Sequence, residues 1–286
     1  MRQLRISRKM ITAVAAALAA VGVPGLWQSA ALARSPSVLN WTRQHPAASP
    51  SARWFAPMAY DAATGTAVLF GGATQSRTFS DTWTWDGSTW AKRDPATHPS
   101  VRGYEALAYD AAARAVVLFG GLGGGRRLDD TWTWNGSTWT KQAPAAHPSV
   151  RNDASMAYDA ATGTAVLFGG YGGKTDSALG DTWTWDGSTW TKQAPATSPP
   201  ARYLASMAYD AATATIVMFG GINNDRRNFG DTWTWDGSTW TKQAPATHPT
   251  ARADEALAYD AAARDVVLFG GTVRGPVKDT WTWGAG

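Results

Sequence analysis

The feature that most constrains this chain is a ten-residue segment, residues 81–90, which reads D-T-W-T-W-D-G-S-T-W. It recurs at 130–139 (with Asn135 for the second aspartate), 181–190 and 231–240, and its first half recurs at 279–283. Threonine and tryptophan alternate in the first half, which is the period of a β-strand. Asp-Gly between two such runs is a strong hairpin signal, because a tight turn needs positive φ angles. Each copy therefore predicts one β-hairpin that presents two tryptophans on one face.

Four further markers keep a fixed order around this hairpin. Each unit starts with an arginine, continues with Ala-Tyr-Asp and an apolar run, and reaches Phe-Gly-Gly before the hairpin. Successive arginines lie 49 to 51 residues apart, at Arg53, Arg102, Arg151, Arg202 and Arg252. A period near 50 residues with several short strands in each unit is typical of a β-propeller. We therefore predict an all-β fold of five blades, each with four antiparallel strands.

The first unit illustrates the four predicted strands, which cover residues 53–61, 67–70, 81–85 and 88–92. The second strand is continuously apolar, as expected for a strand that is covered on both faces. The glycine pair after it lets the chain turn where a side chain would collide. By the same reading, the five units cover about residues 53–92, 102–141, 151–192, 202–242 and 252–283.

This pattern resembles the kelch repeat. The apolar strand that ends in Gly-Gly, the aromatic strand, the tryptophan just past a turn, and the proline and arginine that lead into the next unit all match it. The resemblance covers about residues 39–283 and implies a β-propeller that binds proteins or carbohydrates through its loops. Galactose oxidase shares the kelch architecture, but its cofactor needs a cysteine joined to a tyrosine. The chain contains no cysteine, so we exclude that activity.

The two ends of the repeat array predict how the ring closes. The fifth unit reaches Trp283 without a fourth strand, whereas residues 39–44 (L-N-W-T-R-Q) match the fourth strand of the other units (S-T-W-T-K-Q). We expect residues 39–44 to complete the fifth blade and to remove an exposed sheet edge. We therefore predict a structural role for Trp41, as for Trp83 and Trp85 of the third strand.

Residues 1–33 resemble a secretory signal peptide. Basic residues precede a short alanine-rich apolar run at 11–23, and residues 31–33 (A-L-A) offer a cleavage site. The apolar run is too short for a membrane span, so we expect a secreted protein that leaves the membrane after cleavage. The chain has 26 basic and 22 acidic residues, and four of the basic ones lie in residues 1–33. The mature chain is therefore formally neutral, which argues against a nucleic-acid partner, and we expect a monomer.

Differences between the units are concentrated where a binding site would lie. The three positions after each arginine vary, as do the loops between second and third strands, whereas the other turns barely change. Because successive strands of a blade run in opposite directions, these positions lie on the same face of the predicted propeller, around the mouth of its central channel. Variable segments on a rigid scaffold commonly form binding sites. The candidate ligand-binding residues are Trp54, Phe55, Tyr104, Glu105, Asn152, Asp153, Tyr203, Asp254, Glu255, Arg126, Arg127, Tyr171, Arg226, Arg227 and Arg274.

These residue types allow more than one function. Aromatic rings with carboxylates and arginines suit a carbohydrate or a peptide, and they are also common at protein interfaces. We predict a secreted binding module for a protein or carbohydrate ligand. The alternative is a carbohydrate-active hydrolase or lyase, which would need two carboxylates about 5–10 Å apart, drawn from Glu105, Asp153, Asp254 and Glu255. A third possibility is a structural or adhesive surface module.

Other patterns predict structure rather than chemistry. The arginine that starts each unit and the aspartate before its third strand, such as Arg53 and Asp81, are interpreted as structural ion pairs. Histidines precede prolines at equivalent positions around the ring, at His45, His98, His147 and His248. They cannot converge on one metal ion, whose ligands would lie about 2 Å from it. We therefore predict no metal and no cofactor.

Overall fold

Strands supply the regular structure of residues 43–284, the part of the chain that the computed structural model describes. All of them lie in one compact unit, Gln44–Gly286. Among the described residues no helix is long and apolar enough to cross a membrane. The predicted signal peptide and most of the predicted closing strand, including Trp41, lie outside the described residues. The last two residues of that strand, Arg43 and Gln44, are described and belong to no strand.

The first unit forms one antiparallel sheet whose strands follow each other in chain order. Its strands are β1 (Met58–Asp61), β2 (Thr66–Phe70), β3 (Thr82–Trp85) and β4 (Trp90–Arg93). Phe70 lies opposite Thr82, and Trp85 lies opposite Trp90. This register places both tryptophans of β3 on one face and both threonines on the other, as the alternating sequence requires.

Later units repeat this sheet, with short hairpins added in two of the loops. The second unit contains β5 (Ala106–Asp110), β6 (Ala115–Phe119), β7 (Leu122–Gly123), β8 (Arg126–Arg127), β9 (Thr131–Trp134) and β10 (Trp139–Gln142). The third contains β11 (Arg151–Asn152), β12 (Ser155–Asp159), β13 (Thr164–Phe168), β14 (Tyr171–Gly172), β15 (Ser177–Ala178), β16 (Thr182–Trp185) and β17 (Trp190–Gln193). The fourth contains β18 (Tyr203–Asp210), β19 (Thr215–Ile222), β20 (Thr232–Trp235) and β21 (Trp240–Gln243). The fifth contains β22 (Ala256–Asp260), β23 (Asp265–Phe269) and β24 (Thr280–Trp283).

The prediction of an all-β chain built from repeated four-stranded antiparallel sheets is confirmed. Units one to four each form such a sheet, and the described residues of unit five form a three-stranded sheet, β22-β23-β24. The first strands of successive sheets pack on each other in chain order, from β1 through β5, β12 and β18 to β22.

Two predicted strand starts in the first unit are wrong by two or more residues. The fourth strand begins at Trp90 rather than at residue 88, because the Asp86 carboxylate accepts the backbone N–H groups of Ser88 (2.9 Å) and Thr89 (2.8 Å) and holds them in the turn. The first strand begins at Met58 rather than at residue 53, because Trp54 makes only an isolated bridge to Ala73 and residues 55–57 continue no ladder. The segment before β1 therefore forms a loop.

Apolar clusters between neighbouring sheets hold the units together. In the cluster between the first two sheets, Phe70 packs edge-on against Trp139, with ring centroids 5.3 Å apart. The Trp139 indole donates a hydrogen bond to the Thr82 hydroxyl at 2.8 Å, so its polar N–H is satisfied although the ring is fully buried. Trp190 and Trp240 make the same bond to Thr131 and Thr182. These three fourth-strand tryptophans therefore join their own sheets to the preceding ones.

A buried arginine ties the start of each unit to its third strand. Arg102 is 0% exposed and makes a bidentate hydrogen bond to Asp130 at 2.6 and 2.9 Å. It also donates to the carbonyl of Gly120 at 3.0 Å, while the Trp132 indole donates to Asp130 at 2.7 Å. Burial alone would raise the pKa of Asp130, but these hydrogen bonds and the arginine charge hold it below its usual value. Arg53 and Asp81 form the same ion pair, as do their equivalents in all units.

The fifth sheet differs from the others in how far its outer face is covered. The phenylalanine of the Phe-Gly-Gly marker is at most 3% exposed in the first four units, but Phe269 is 54% exposed. On the first sheet, Met58 and Tyr60 are also exposed, at 52% and 62%. In the described residues, an apolar face is therefore open at each end of the series of sheets.

Candidate functional site

One backbone position, two residues after the arginine of each unit, has the same unusual conformation throughout. Its φ angle lies between 55° and 63° in all five units, although none of these residues is glycine. The residues are Phe55, Tyr104, Asp153, Leu204 and Asp254. Positive φ is uncommon for such residues and costs free energy, and it is frequently found at functional sites. The position therefore marks a place where the fold imposes a specific backbone geometry.

Backbone hydrogen bonds join these five residues in chain order. Tyr104 donates its N–H to Phe55 O (3.1 Å), Asp153 to Tyr104 O (3.0 Å), Leu204 to Asp153 O (3.0 Å) and Asp254 to Leu204 O (3.2 Å). Within residues 43–284 there is no fifth bond from Phe55 to Asp254. The bonded series holds the five side chains close together and in a defined order.

A cavity of about 470 Å³ opens beside this series and is lined by residues from all five units. We call it the five-unit cavity; six of its lining residues are Phe55, Tyr104, Glu105, Asp153, Asp254 and Glu255. All six belong to the set predicted from sequence. The Phe55 and Tyr104 rings stack, with centroids 3.8 Å apart and planes inclined by 22°. The cavity thus combines a flat aromatic surface with four carboxyl groups.

The two glutamates of the cavity are deeply buried. Glu105 and Glu255 are the only glutamates in the chain, and they occupy the same position in units two and five. They are 5% and 4% exposed, and none of their carboxyl oxygens has a hydrogen-bond partner among the described residues. Burial raises the pKa of each to about 8. Both side chains are therefore neutral at pH 7 and can donate a hydrogen bond through the carboxyl O–H.

Each glutamate fits against a glycine of the preceding sheet. A Cβ at Gly71 would lie 2.9 Å from Oε1 of Glu105, and one at Gly220 would lie 2.6 Å from Oε1 of Glu255. The first glycine of the Phe-Gly-Gly marker is therefore required for this packing as well as for its positive φ of 61° or 70°. Units one, three and four have alanine in place of the glutamate, so only two of the five positions carry this group.

Asp153 and Asp254 present carboxyl groups nearer to solvent. Burial raises the pKa of Asp153 to about 7, and the charge of Asp254 adds to this effect. Arg127 and the Asn152 amide, which donates to Asp153 at 2.5 Å, act in the opposite direction. Asp153 therefore titrates near neutral pH, in contact with the cavity.

Four other predicted residues, together with Asp176, which was not predicted, form a second group, which we call the loop cluster: Arg127, Asn152, Tyr171, Asp176 and Tyr203. Arg127 donates to the Asn152 side-chain oxygen at 2.7 Å, pairs with Asp176, and lies 4.7 Å from the centroid of the Tyr171 ring. Tyr171 and Tyr203 meet edge to face at 5.2 Å. Because Asn152 also contacts Asp153, the loop cluster is connected to the five-unit cavity by hydrogen bonds.

The remaining predicted residues do not line the five-unit cavity. Trp54 is 46% exposed and meets the edge of Phe55 at 6.3 Å, so it lies beside the cavity. The other arginines are exposed in loops between second and third strands: Arg126, Arg226, Arg227 and Arg274. Leu204 does line the cavity but was not among the candidates, since an aliphatic side chain suggests no chemistry. Its equivalence to Tyr104 and Asp153 in the repeat is the signal that could have identified it.

The described residues contain no group of three or more histidines, cysteines or acidic residues that could hold a metal ion. The ring nitrogens of His98, His147 and His248 each lie within 2.8–2.9 Å of the carbonyl of the proline that follows. These three histidines therefore bond within their own links.

Comparisons with known proteins identify no family for this chain. No protein-family model matches it, and no curated protein sequence is significantly similar to it. The resemblance to the kelch repeat thus stays a prediction that depends on the motif itself.

Proposed function

We propose that this chain is a five-bladed β-propeller that binds a carbohydrate in the five-unit cavity. The observation that carries the proposal is the lining of that cavity, in which equivalent positions of all five units contribute different side chains. A purely structural position would be expected to keep the same residue, as the arginine and aspartate of the ion pairs do. The order in which the first strands pack supports an arrangement of five blades around this cavity.

The chemistry of the cavity favours a sugar over an extended protein surface. Its volume of about 470 Å³ lies within the range of about 300–1,000 Å³ that is typical of small-molecule sites. The stacked Phe55 and Tyr104 rings offer an apolar face for the C–H groups of a sugar ring. The Asp153 and Asp254 carboxyl groups, which are not fully buried, are available for hydrogen bonds to its hydroxyls. A protein ligand would instead be expected to use the loop cluster.

A glycan array, followed by calorimetry with the tightest-binding oligosaccharide, tests this proposal. We expect Tyr104→Ala and Asp153→Asn to lower affinity at least tenfold, which corresponds to about 1.4 kcal/mol. The control is Asp94→Asn, which removes an exposed carboxylate that lies outside the cavity lining. Binding that survives both cavity substitutions, or a protein array that yields ligands where the glycan array yields none, would refute carbohydrate binding in the cavity.

Hydrolysis of a carbohydrate is the second candidate function, and Asp153 is the observation that favours it. A carboxyl group with a pKa of about 7, close to the charge of Asp254, has the properties of a general acid that works near neutral pH. Release of reducing ends from a polysaccharide that binds, and its loss in Asp153→Asn, would support catalysis. Binding without any product over long incubation would leave the binding module as the function.

We also propose that the protein acts as a secreted monomer after removal of residues 1–33. The support is the basic and apolar pattern of those residues and the formal neutrality of the rest of the chain. Mass spectrometry of the protein recovered from culture medium should give an N-terminus at Arg34. An intact N-terminus on cell-associated protein would contradict secretion.

A further inference from the structure

The ionisable side chains that line the five-unit cavity are all acidic. The lining includes the carboxyl groups of Glu105, Asp153, Asp254 and Glu255 and the phenol of Tyr104. Among the described residues of this lining, none is lysine, arginine or histidine. Carboxylates that share a small space without a basic partner repel one another and attract a cation. The lining therefore constrains the charge of the ligand as well as its shape.

Asp254 carries the least compensated of these carboxyl groups. It is exposed, and within the described part of the chain its carboxylate accepts no hydrogen bond and forms no ion pair. Partial burial raises its pKa, and no neighbouring positive charge offsets this effect. Asp153 differs, because the Asn152 amide donates to it at 2.5 Å and the charge of Arg127 opposes the effect of its burial. Asp254 is therefore an acceptor that the protein leaves available to a ligand.

Arg127 is the basic residue whose charge reaches Asp153, but it is engaged outside the cavity. Its guanidinium donates to the Asn152 side-chain oxygen at 2.7 Å and pairs with Asp176. It also lies 4.7 Å from the centroid of the Tyr171 ring, and it is not part of the cavity lining. An acidic sugar in the cavity would therefore meet carboxyl groups without finding a basic partner of its own.

Both aspartates lie close to the aromatic surface of the cavity. Asp153 donates its backbone N–H to Tyr104 O at 3.0 Å, and Leu204 joins the two aspartates through backbone hydrogen bonds of 3.0 and 3.2 Å. The charges of Asp153 and Asp254 both raise the pKa of Tyr104, whose ring stacks on Phe55. Aromatic faces attract cations as well as C–H groups. The rings and the carboxylates thus favour the same kind of ligand.

The buried glutamates of the cavity also favour a positive charge. Glu105 is 5% exposed, lines the cavity, and has no hydrogen-bond partner for either carboxyl oxygen among residues 43–284. Glu255 is in the same situation at 4% exposure. A cation in the cavity would favour the ionised form of both groups, whereas an anion would disfavour it further. An anionic ligand is therefore opposed by every carboxyl group of the lining.

We propose that the sugar bound in the five-unit cavity is an amino sugar with a free, protonated amine, held between Asp153 and Asp254. This inference rests on the proposed function, because it specifies which class of sugar the cavity takes. The ammonium group has three N–H donors, enough for both carboxylates, while the C–H groups of the ring lie against Phe55 and Tyr104. An N-acetylated sugar lacks the charge, and a sugar acid carries the opposite one.

Calorimetry with matched sets of oligosaccharides tests the proposal. The members of each set share length and linkage and differ in one substituent, which is a free amine, an N-acetyl group, a hydroxyl or a carboxylate. We expect the free amine to bind at least about tenfold more tightly than the N-acetylated and hydroxyl forms, and the carboxylate to bind most weakly. Tighter or equal binding of the N-acetylated or hydroxyl form would overturn the amine inference and leave carbohydrate binding intact. Absence of binding throughout the sets would refute carbohydrate binding itself, and the inference with it.

The ratio of the affinities for the amine and the N-acetylated form is the readout for two variants, because loss of folded protein does not change it. Asp254→Asn removes the uncompensated charge with little change of shape, and we expect the preference for the amine to be lost. Asp94→Asn makes the same change of charge at an exposed position outside the lining, and it should keep the preference. A full preference in Asp254→Asn would overturn recognition of the amine by this carboxylate.

Discussion

The two buried glutamates should make the stability of this protein fall as the pH rises. Glu105 and Glu255 are 5% and 4% exposed, and burial raises the pKa of each to about 8. A glutamate in an unfolded chain has a pKa of about 4.3. Between these two values the folded state keeps a proton that the unfolded state has released. The contribution to the free energy of unfolding is therefore fully present below about pH 4.3 and is lost progressively as the pH rises through about 8.

The size of this effect follows from proton linkage. One proton difference changes the free energy of unfolding by about 1.4 kcal/mol per pH unit. Raising the pH from 5.5 to 7.5 should therefore lower the free energy of unfolding by about 3 kcal/mol through Glu105 alone, and by about twice as much through both glutamates. Glu105→Gln keeps the shape of the side chain and removes the titrating proton. We expect its stability to decline with pH less steeply than that of the wild type, by about 1.4 kcal/mol per unit.

Urea unfolding followed by tryptophan fluorescence at pH 5.5, 6.5 and 7.5 measures this slope. The double variant Glu105→Gln/Glu255→Gln should have the flattest profile of the series. Asp94→Asn, which removes an exposed carboxylate in the link after the first sheet, controls for the change in net charge and should leave the slope as in the wild type. Equal slopes for the wild type and the double variant would refute the assignment of buried, protonated glutamates.

Three further substitutions test the scaffold by the same unfolding assay. Arg151→Met should lower the free energy of unfolding by about 3–5 kcal/mol, because it leaves the Asp181 carboxylate without its bidentate partner. A loss below about 1 kcal/mol would mean that the pair behaves as a surface ion pair. Gly71→Ala should lower the free energy of unfolding clearly more than Gly124→Ala. Both glycines have a positive φ, but a Cβ at Gly71 would lie 2.5 Å from a backbone oxygen, whereas a Cβ at Gly124 would meet nothing within 4 Å. Equal losses of stability would show that backbone strain alone matters. Trp41→Ala should cost about 3–5 kcal/mol if the ring is buried, and an unchanged melting curve would contradict its predicted structural role.

The alternating Thr-Trp runs and the apolar second strands were sufficient to predict the strand order within each unit. The fourth strand nevertheless begins two residues later than expected, because the Asp86 carboxylate binds two backbone N–H groups of the turn. The first strand begins five residues late, because the segment before it makes only an isolated bridge, from Trp54 to Ala73. Both shifts come from local geometry that residue periodicity does not contain.

The position of the candidate site was predictable from the repeat, but the state of its groups was not. Comparing units with one another identified Tyr104 and Asp153 as variable, and both line the five-unit cavity. Asp254 and Glu255 were both candidates from the sequence, but residue type does not tell that Asp254 is exposed and that Glu255 is buried against Gly220. That difference depends on how closely two sheets approach, which is a property of the packed fold.

A crystal structure with the tightest-binding oligosaccharide soaked in would test the central claim most directly. We predict density for a sugar ring inside the five-unit cavity, with one face against the stacked Phe55 and Tyr104 rings and hydroxyls within hydrogen-bond distance of Asp153. Density over the loop cluster around Arg127 and Tyr171, with the cavity free of ligand, would contradict the account.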